Sequence, residues 1–230
     1  MSPKCILVLA IATSALTSTA ALAATGSPER VRGVIASAAA NSVTVDTYAG
    51  KPVTVGLTDK TAYLKVEKSG LDKIEKGGFI GTATKDVGGT QVALEVVIFP
   101  PSMRDTGEGH YAWDKIPDTT LSGGAKTSSS MTNGSVTAVS TPVPDVKSSM
   151  TNGDVAAANS QDGVRHLVVT YNGGKQDVLV PPTAPIVDFQ PGSKALLAKG
   201  ADVFIKATNT DSGLDANAVA VGVGGVKPPM

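Results

Sequence analysis

The feature that most constrains this fold is an internal repeat. The sequence TYAG at 47–50 in the first half of the chain recurs as TYNG at 170–173 in the second. In both halves 29 residues separate the tyrosine from the glycine of a Lys-Gly pair that opens an apolar segment. Ala83-Thr84 returns as Ala207-Thr208, at a shift of 124 residues. Matched spacing of this kind over about 60 residues indicates a duplicated structural unit.

Each copy of the repeat has the pattern of short β-strands. Apolar residues alternate with polar ones, Val and Thr dominate, and glycine-containing turns separate the segments, as in half-buried strands. Leu71 and Ile74 predict a helical turn that Gly77-Gly78 ends. In the first copy the predicted strands are 42–46, 53–55, 63–66, 79–84 and 92–99.

Five short strands with a helical turn between the third and the fourth are typical of a small OB-like β-barrel. Closure of such a barrel would also remove the exposed edges of strands this short. The sequence therefore predicts an all-β chain with two tandem OB-like modules, residues 30–103 and residues 153–225.

The segment between the two copies, 104–152, is predicted to be a junction loop followed by a flexible linker. Its second part is rich in Ser, Thr, Gly and Pro and offers few apolar residues to a core. Within it, SSMTNGSV at 129–136 recurs as SSMTNGDV at 148–155, a local duplication at a shift of 19 residues. We expect the second copy to enter the barrel as its first strand and the first copy to remain in the linker.

The amino terminus has the three-part layout of a secretory signal peptide. Lys4 gives it a positive charge, an apolar stretch follows, and Ala21-Leu22-Ala23 places small residues where a signal peptidase cleaves. The apolar stretch is shorter than the roughly 20 residues that cross a bilayer. We therefore expect cleavage after Ala23 and export of the mature chain to the periplasm or the medium.

Composition narrows the possible partners. The chain has 20 basic and 20 acidic residues and therefore no formal net charge. Proteins that grip nucleic acid by its phosphates show a basic excess, so nucleic acid is not expected as a partner. No segment after the signal peptide reaches membrane-spanning length, and the single cysteine, Cys5, leaves with the signal. Disulfides and thiolate chemistry are thereby excluded from the mature chain.

Four motifs resemble those of a family of small exported bacterial proteins. They are VVIFPPSMRDTGEGHYAWD at 96–114, SMTNG at 149–153, VPPTAPIV at 180–187 and the terminal PPM at 228–230. The resemblance implies tandem modules of a domain of unknown function with an OB-like barrel. Some members carry the label metal ABC transporter permease, which implies metal transport. A permease needs several spanning helices, so the mature chain fits that label only as an accessory protein. The extra SMTNG copy at 130–134 departs from the family pattern.

The junction loop holds the candidate functional residues. Asp105, Glu108, His110 and Asp114 lie within ten residues and are the weak candidates for a divalent-metal site, which would be the only cofactor. The alternative is that they are solvated polar residues beside an anchor, with Arg104 forming salt bridges to these carboxylates. Arg104, Tyr111 and Trp113 are the predicted loop anchors or partner-binding residues.

Three functions remain open at this point. The first is a non-enzymatic envelope module that binds or positions an unknown envelope protein or a small ligand. The second is a periplasmic metal-binding accessory protein. The third is an enzyme, which the sequence favours least because it lacks the G-x-S-x-G, H-E-x-x-H, C-x-x-C and phosphate-loop motifs.

Overall fold

The protein is built from β-strands throughout the part of the chain that the structure describes. A computed structural model describes residues 28–121, 124–140 and 163–229. Within these ranges there are fifteen strands, three short 3₁₀ turns and no α-helix, as the alternating sequence predicts. The predicted signal peptide, residues 1–23, lies outside the described residues. None of the helical turns in the described ranges is long and apolar enough to cross a bilayer.

The strands follow one another with short connections. The first half contains β1 (Pro28–Ala38), β2 (Ser42–Thr47), β3 (Pro52–Gly56), β4 (Ala62–Lys68), a 3₁₀ turn (Leu71–Lys73), β5 (Phe79–Val87) and β6 (Thr90–Phe99). The middle contains a 3₁₀ turn (Pro101–Met103), β7 (Gly109–Ala112), β8 (Ile116–Pro117), β9 (Lys126–Thr127) and β10 (Ser130–Ser140). The second half contains β11 (Arg165–Tyr171), β12 (Gly174–Val180), β13 (Ile186–Pro191), a 3₁₀ turn (Lys194–Leu196), β14 (Asp202–Thr210) and β15 (Gly213–Gly222).

Thirteen of the strands form one continuous sheet that closes on itself twice. The first ring has the order β1-β2-β3-β15-β14, with β14 antiparallel to β1 and a parallel bridge between Asp215 and Gly56. The second ring has the order β10-β11-β12-β6-β5, and β12 runs parallel to β6 where it closes. Strands β4 and β13 pair antiparallel between the rings and join them.

Hydrogen bonding does not follow the predicted division into residues 30–103 and residues 153–225. Each ring takes three strands from one half of the chain and two from the other: β1, β2 and β3 pair with β14 and β15, while β10, β11 and β12 pair with β5 and β6. The chain crosses from one ring to the other after β4 and again after β13, through the segments that contain the 3₁₀ turns Leu71–Lys73 and Lys194–Leu196. The two halves have therefore exchanged their last two strands.

The two halves repeat each other in register. Ile80 pairs with Ile98 in the first half, and Val203 pairs with Val221 in the second, a shift of 123 residues for every member. The register then slips once in each hairpin, after Ala83 and after Lys206, which are also 123 residues apart. The sequence match of Ala83-Thr84 with Ala207-Thr208 is thus offset by one residue from the structural equivalence.

Two glycines mark the same close approach in the two rings. A Cβ on Gly33 of β1 would lie 2.2 Å from the carbonyl oxygen of Asp46, and a Cβ on Gly134 of β10 would lie 2.4 Å from that of Thr170. Such distances are far below van der Waals contact, so each first strand needs glycine at this point. The equivalence identifies β10 as the first strand of the second repeat.

The position of β10 corrects two expectations about the segment 104–152. This segment is not a continuous linker, because it contains β7 to β10, and β10 lies between β5 and β11 in the second ring. The first copy of the SMTNG motif supplies this strand and does not remain in a linker, whereas the second copy lies outside the described residues. The first copy continues with Thr137 and Val139 where the second has Ala156 and Ala158, and β-branched residues favour a strand over alanine.

Four apolar clusters lie within the described residues, and three of them fill the rings and the space between them. One fills the first ring, with Val43, Val45 and Ile205 fully buried, and a second fills the second ring around Leu167 and Val169. The third lies between the rings and contains three packed phenylalanines, with ring centroids 5.7 Å apart for Phe79–Phe99 and 5.6 Å for Phe99–Phe189. These aromatic contacts fix how the rings sit against each other.

Candidate functional site

The junction loop is a compact structure that folds back onto the second ring. Pro100 ends β6 and a 3₁₀ turn follows, after which Asp105 has φ 66 and Gly107 has φ 62. These left-handed conformations reverse the chain, so that β7 returns antiparallel to β10, with His110 opposite Thr132. The sequence predicts this compact form from the prolines and from the glycines on either side of Glu108.

Polar contacts tie the loop to its surroundings. Arg104 donates one hydrogen bond to the Ser135 hydroxyl at 3.0 Å and another to the Gly77 carbonyl at 2.7 Å. The amide nitrogen of Asn133 donates to the Gly107 carbonyl at 2.9 Å and to the Tyr111 hydroxyl at 3.1 Å. Arg104 therefore contacts a hydroxyl and a backbone carbonyl, whereas the sequence predicts ion pairs with carboxylates.

The four metal candidates are directed to separate partners. The Glu108 carboxylate accepts a hydrogen bond from the backbone N–H of Asn172 at 3.1 Å. A ring nitrogen of His110 lies 2.9 Å from the Thr132 hydroxyl, and the ring stacks on Tyr171.

Asp105 is exposed at the turn, and Asp114 faces the first ring. Among the described residues no three His, Cys, Asp or Glu side chains gather as a metal site would require.

Trp113 lies at the centre of a contact between the two rings. Its side chain packs against a cluster made by Ala83, Leu94, Ile116 and Met131. Its backbone N–H donates to the Ser129 carbonyl at 2.9 Å. The guanidinium carbon of Arg30, from β1, lies 3.7 Å from the centroid of the indole. The side chain thus packs on the second ring and meets a cation from the first.

Asp114 completes this contact through two arginines that sequence reasoning did not single out. It pairs with Arg30 at 2.9 Å and with Arg32 at 2.8 Å. Burial lowers the pKa of the Arg32 guanidinium, and the carboxylate of Asp114 counteracts this effect. Arg30 and Arg32 lie on either side of the buried Val31 in β1, so the only signal in the sequence is their spacing of two residues on one strand face.

A second ion pair fixes the segment that follows β8. Asp118 has 4 % of its surface exposed and accepts a hydrogen bond from the Lys85 ammonium at 2.8 Å. The Thr120 hydroxyl donates to the same carboxylate at 2.7 Å, and the Thr120 backbone N–H does so at 3.0 Å. Burial alone would raise the pKa of Asp118, but the hydrogen bonds from Lys85 and Thr120 outweigh it and lower the pKa below its ordinary value.

These contacts build one wall of a large cleft between the rings, which we call the inter-ring cleft. Its volume is about 1050 Å³. The walls come from β1, the turn between β2 and β3, the segment around β8 and β9, the start of β13 and the carboxyl-terminal residues 224–229. A cleft of this size is typical of a site for a small molecule.

The charge of the inter-ring cleft differs from that of the chain as a whole. Seven basic residues line it against two acidic ones, Glu29 and Glu95, whereas the whole chain is neutral. The basic residues are Arg30, Arg32, Lys51, Lys68, Lys115, Lys126 and Lys227. In the described ranges none of the five lysines lies within 4.0 Å of a carboxylate. The five lysines therefore concentrate positive charge at the cleft that no carboxylate of the described residues pairs with directly.

Comparison with known proteins finds no match. No family model, no curated protein and no solved structure matches this chain. The resemblance to exported proteins with tandem modules thus rests on the sequence motifs alone, and the geometry of the site is the remaining indication of function.

Proposed function

We propose that this protein is an exported, non-enzymatic binding module of the cell envelope, and that its ligand occupies the inter-ring cleft. The observation that carries this proposal is the excess of basic side chains around a cleft of about 1050 Å³ in a chain of zero net charge. Lysine ammonium groups, aliphatic side chains and prolines attract and desolvate a ligand. These are properties of a binding site.

The fold supports the proposal through an OB-like interpretation of the rings. The strand order β1-β2-β3-β15-β14 of the first ring, the equivalent order in the second and the parallel closure of both resemble an OB-type barrel in which the last two strands come from the other repeat. Such barrels host many unrelated ligands, so the fold supports binding in general and the cleft specifies where. Export follows from the signal-like amino terminus, residues 1–23.

The proposal predicts that protein recovered from the envelope carries a small molecule. Native mass spectrometry of untagged protein, released gently from producing cells, should show a mass excess over a polypeptide that begins at Ala24. Ala49 lies on the cleft wall in an exposed turn, so Ala49→Trp should fill the space and remove the excess mass. The matched control is Ala40→Trp, an equally exposed loop position outside the cleft, which should retain it.

Two outcomes would contradict the proposal. A polypeptide that retains Met1 to Ala23 in cells would overturn export. A wild-type protein without excess mass, and with Ala49→Trp identical to it, would overturn binding in the cleft.

A further inference from the structure

The floor of the inter-ring cleft is apolar. Val31, Ile116, Ile186 and Val187 line it and have between 3 % and 6 % of their surface exposed. They belong to β1, β8 and β13, so the floor is made where the two rings meet. Aliphatic side chains offer no hydrogen bonds, and a wholly hydrophilic ligand laid over them would lose water without compensation.

The rim of the cleft is made of lysines. Lys51, Lys115, Lys126 and Lys227 are exposed and lie on different segments around the opening. Lysine presents a compact charge on a flexible stem, which suits a phosphate or carboxylate of variable position more than a planar group held in a fixed fork. The Lys227 ammonium lies 5.3 Å from the centroid of the Tyr48 ring, so the carboxyl-terminal segment is held beside the turn that carries Lys51.

The arginines of the cleft have a different role. Arg30 and Arg32 form ion pairs with Asp114, and Arg30 also stacks on Trp113. Both guanidinium groups already have a carboxylate partner within the protein, and Glu95 adds a further attractive charge near Arg32. An incoming anion therefore meets the lysines, which have no such partner among the described residues. Because Arg30 both lines the cleft and covers the only tryptophan, occupation of the cleft should change the emission of Trp113.

We infer that the ligand is an amphiphilic anion, with a phosphate or carboxylate head group at the lysine rim and a hydrocarbon part on the apolar floor. This inference rests on the proposed function and names the chemistry of its ligand. A hydrophilic polyanion would use the rim and not the floor, and a neutral lipid would use the floor and not the rim. Only a molecule with both parts satisfies both surfaces of the cleft.

The test uses four probes, and the three amphiphiles are kept below their critical micelle concentrations. Dodecyl phosphate and dodecanoate carry the two head groups on the same chain, dodecyl maltoside carries the chain without charge, and inorganic phosphate is the head group alone. Titration of the mature protein is followed by Trp113 emission and by calorimetry. At least one of the charged amphiphiles should bind at least tenfold more tightly than dodecyl maltoside, inorganic phosphate should not saturate, and a rise from about 50 to 500 mM NaCl should weaken binding. The stronger of the two charged probes identifies the head group.

Charge-reversal variants connect the binding to the rim. Lys51→Glu/Lys115→Glu places two negative charges on two different segments that line the cleft and should weaken binding of the charged amphiphile by about tenfold or more. The matched control is Lys60→Glu/Lys175→Glu, two exposed lysines outside the cleft, which makes the same change in net charge and should bind as wild type.

Failure of this inference can be told from failure of the proposed function. Equal binding of dodecyl maltoside, saturation by inorganic phosphate, or equal loss in the control variant would overturn the amphiphilic anion. So would the absence of binding by all four probes. In each case a mass excess that Ala49→Trp removes would still support a ligand in the cleft. Absence of that mass excess would refute binding in the cleft.

Discussion

Replacement of Asp118 is expected to destabilise the protein strongly, because it leaves a partly buried cation without its counter-charge. The Lys85 side chain has 16 % of its surface exposed and lies 2.8 Å from the Asp118 carboxylate. Removal of one partner of a buried ion pair costs about 3–5 kcal/mol. Asp118→Ala also removes the acceptor for two hydrogen bonds from Thr120. We therefore expect the free energy of unfolding to fall by about 3–5 kcal/mol at pH 7.

The same reasoning predicts how the loss depends on pH. The pKa of Asp118 in the folded protein lies below its ordinary value, so the wild type gains stability from this group above the ordinary pKa and loses that gain as the pH falls through the folded pKa. The difference in free energy of unfolding between wild type and Asp118→Ala should therefore be largest at pH 7 and should shrink progressively in strong acid. Asp118→Asn, which keeps the shape and the contacts to Thr120, should lie between the two at pH 7.

Urea unfolding followed by Trp113 emission measures these differences. The double variant Lys85→Met/Asp118→Ala is the control, because it removes the isolated charge and should be more stable than Asp118→Ala alone. A loss below about 1 kcal/mol, a loss that does not change with pH, or a double variant no more stable than the single one would refute the reasoning.

Three further predictions follow from the fold. The first uses a chain whose single native cysteine is replaced by serine. There Pro28→Cys/Thr208→Cys should form a disulfide on oxidation because β1 pairs with β14, whereas Pro28→Cys/Lys85→Cys should not. The reverse result would contradict the exchange of strands. Gly134→Val should lower the thermal midpoint, since its Cβ would lie 2.4 Å from a carbonyl oxygen of β11, and an unchanged midpoint would count against the close approach. Trp113→Ala should lower the free energy of unfolding by about 3 kcal/mol, measured by circular dichroism, because it removes the packing of the indole on the cluster that contains Leu94 and Met131; a cost near zero would disprove its role as an anchor.

The strands could be predicted from the sequence, but their partners could not. Alternation placed strands at 42–46, 79–84 and 92–99, and the structure has them at Ser42–Thr47, Phe79–Val87 and Thr90–Phe99. Alternation of apolar and polar residues with a period of two predicts which face of a strand is buried, but it does not predict which strand lies beside it. The two repeats have the same alternation of apolar and polar residues. By this alternation alone, β5 and β14 could each pair with either β1 or β10. The exchange is therefore visible only in the pairing.

In the candidate site, too, features within one short segment could be predicted from the sequence, whereas contacts between residues far apart in the chain could not. The turn at Gly107 and the anchoring by Trp113 lie within one short segment, and the sequence predicts both. Arg30, which covers Trp113, lies more than 80 residues before it, and Asp114 pairs with the same arginine at a sequence separation of 84. The rim of the cleft runs from Lys51 to Lys227. No local motif joins residues so far apart, since only the closure of the two rings brings them together.

The exchange of strands also sets the order in which this protein can be completed. Val31 and Ile205 are neighbours in the first ring although 174 residues separate them along the chain. Contacts over such separations close large loops before they gain any packing energy, so folding should be slow for a protein of this length. During synthesis the strands of the amino-terminal half leave the ribosome without the two strands that finish their ring. They stay incomplete until β14 and β15 are made, and the second ring, which uses β5 and β6, can close before the first.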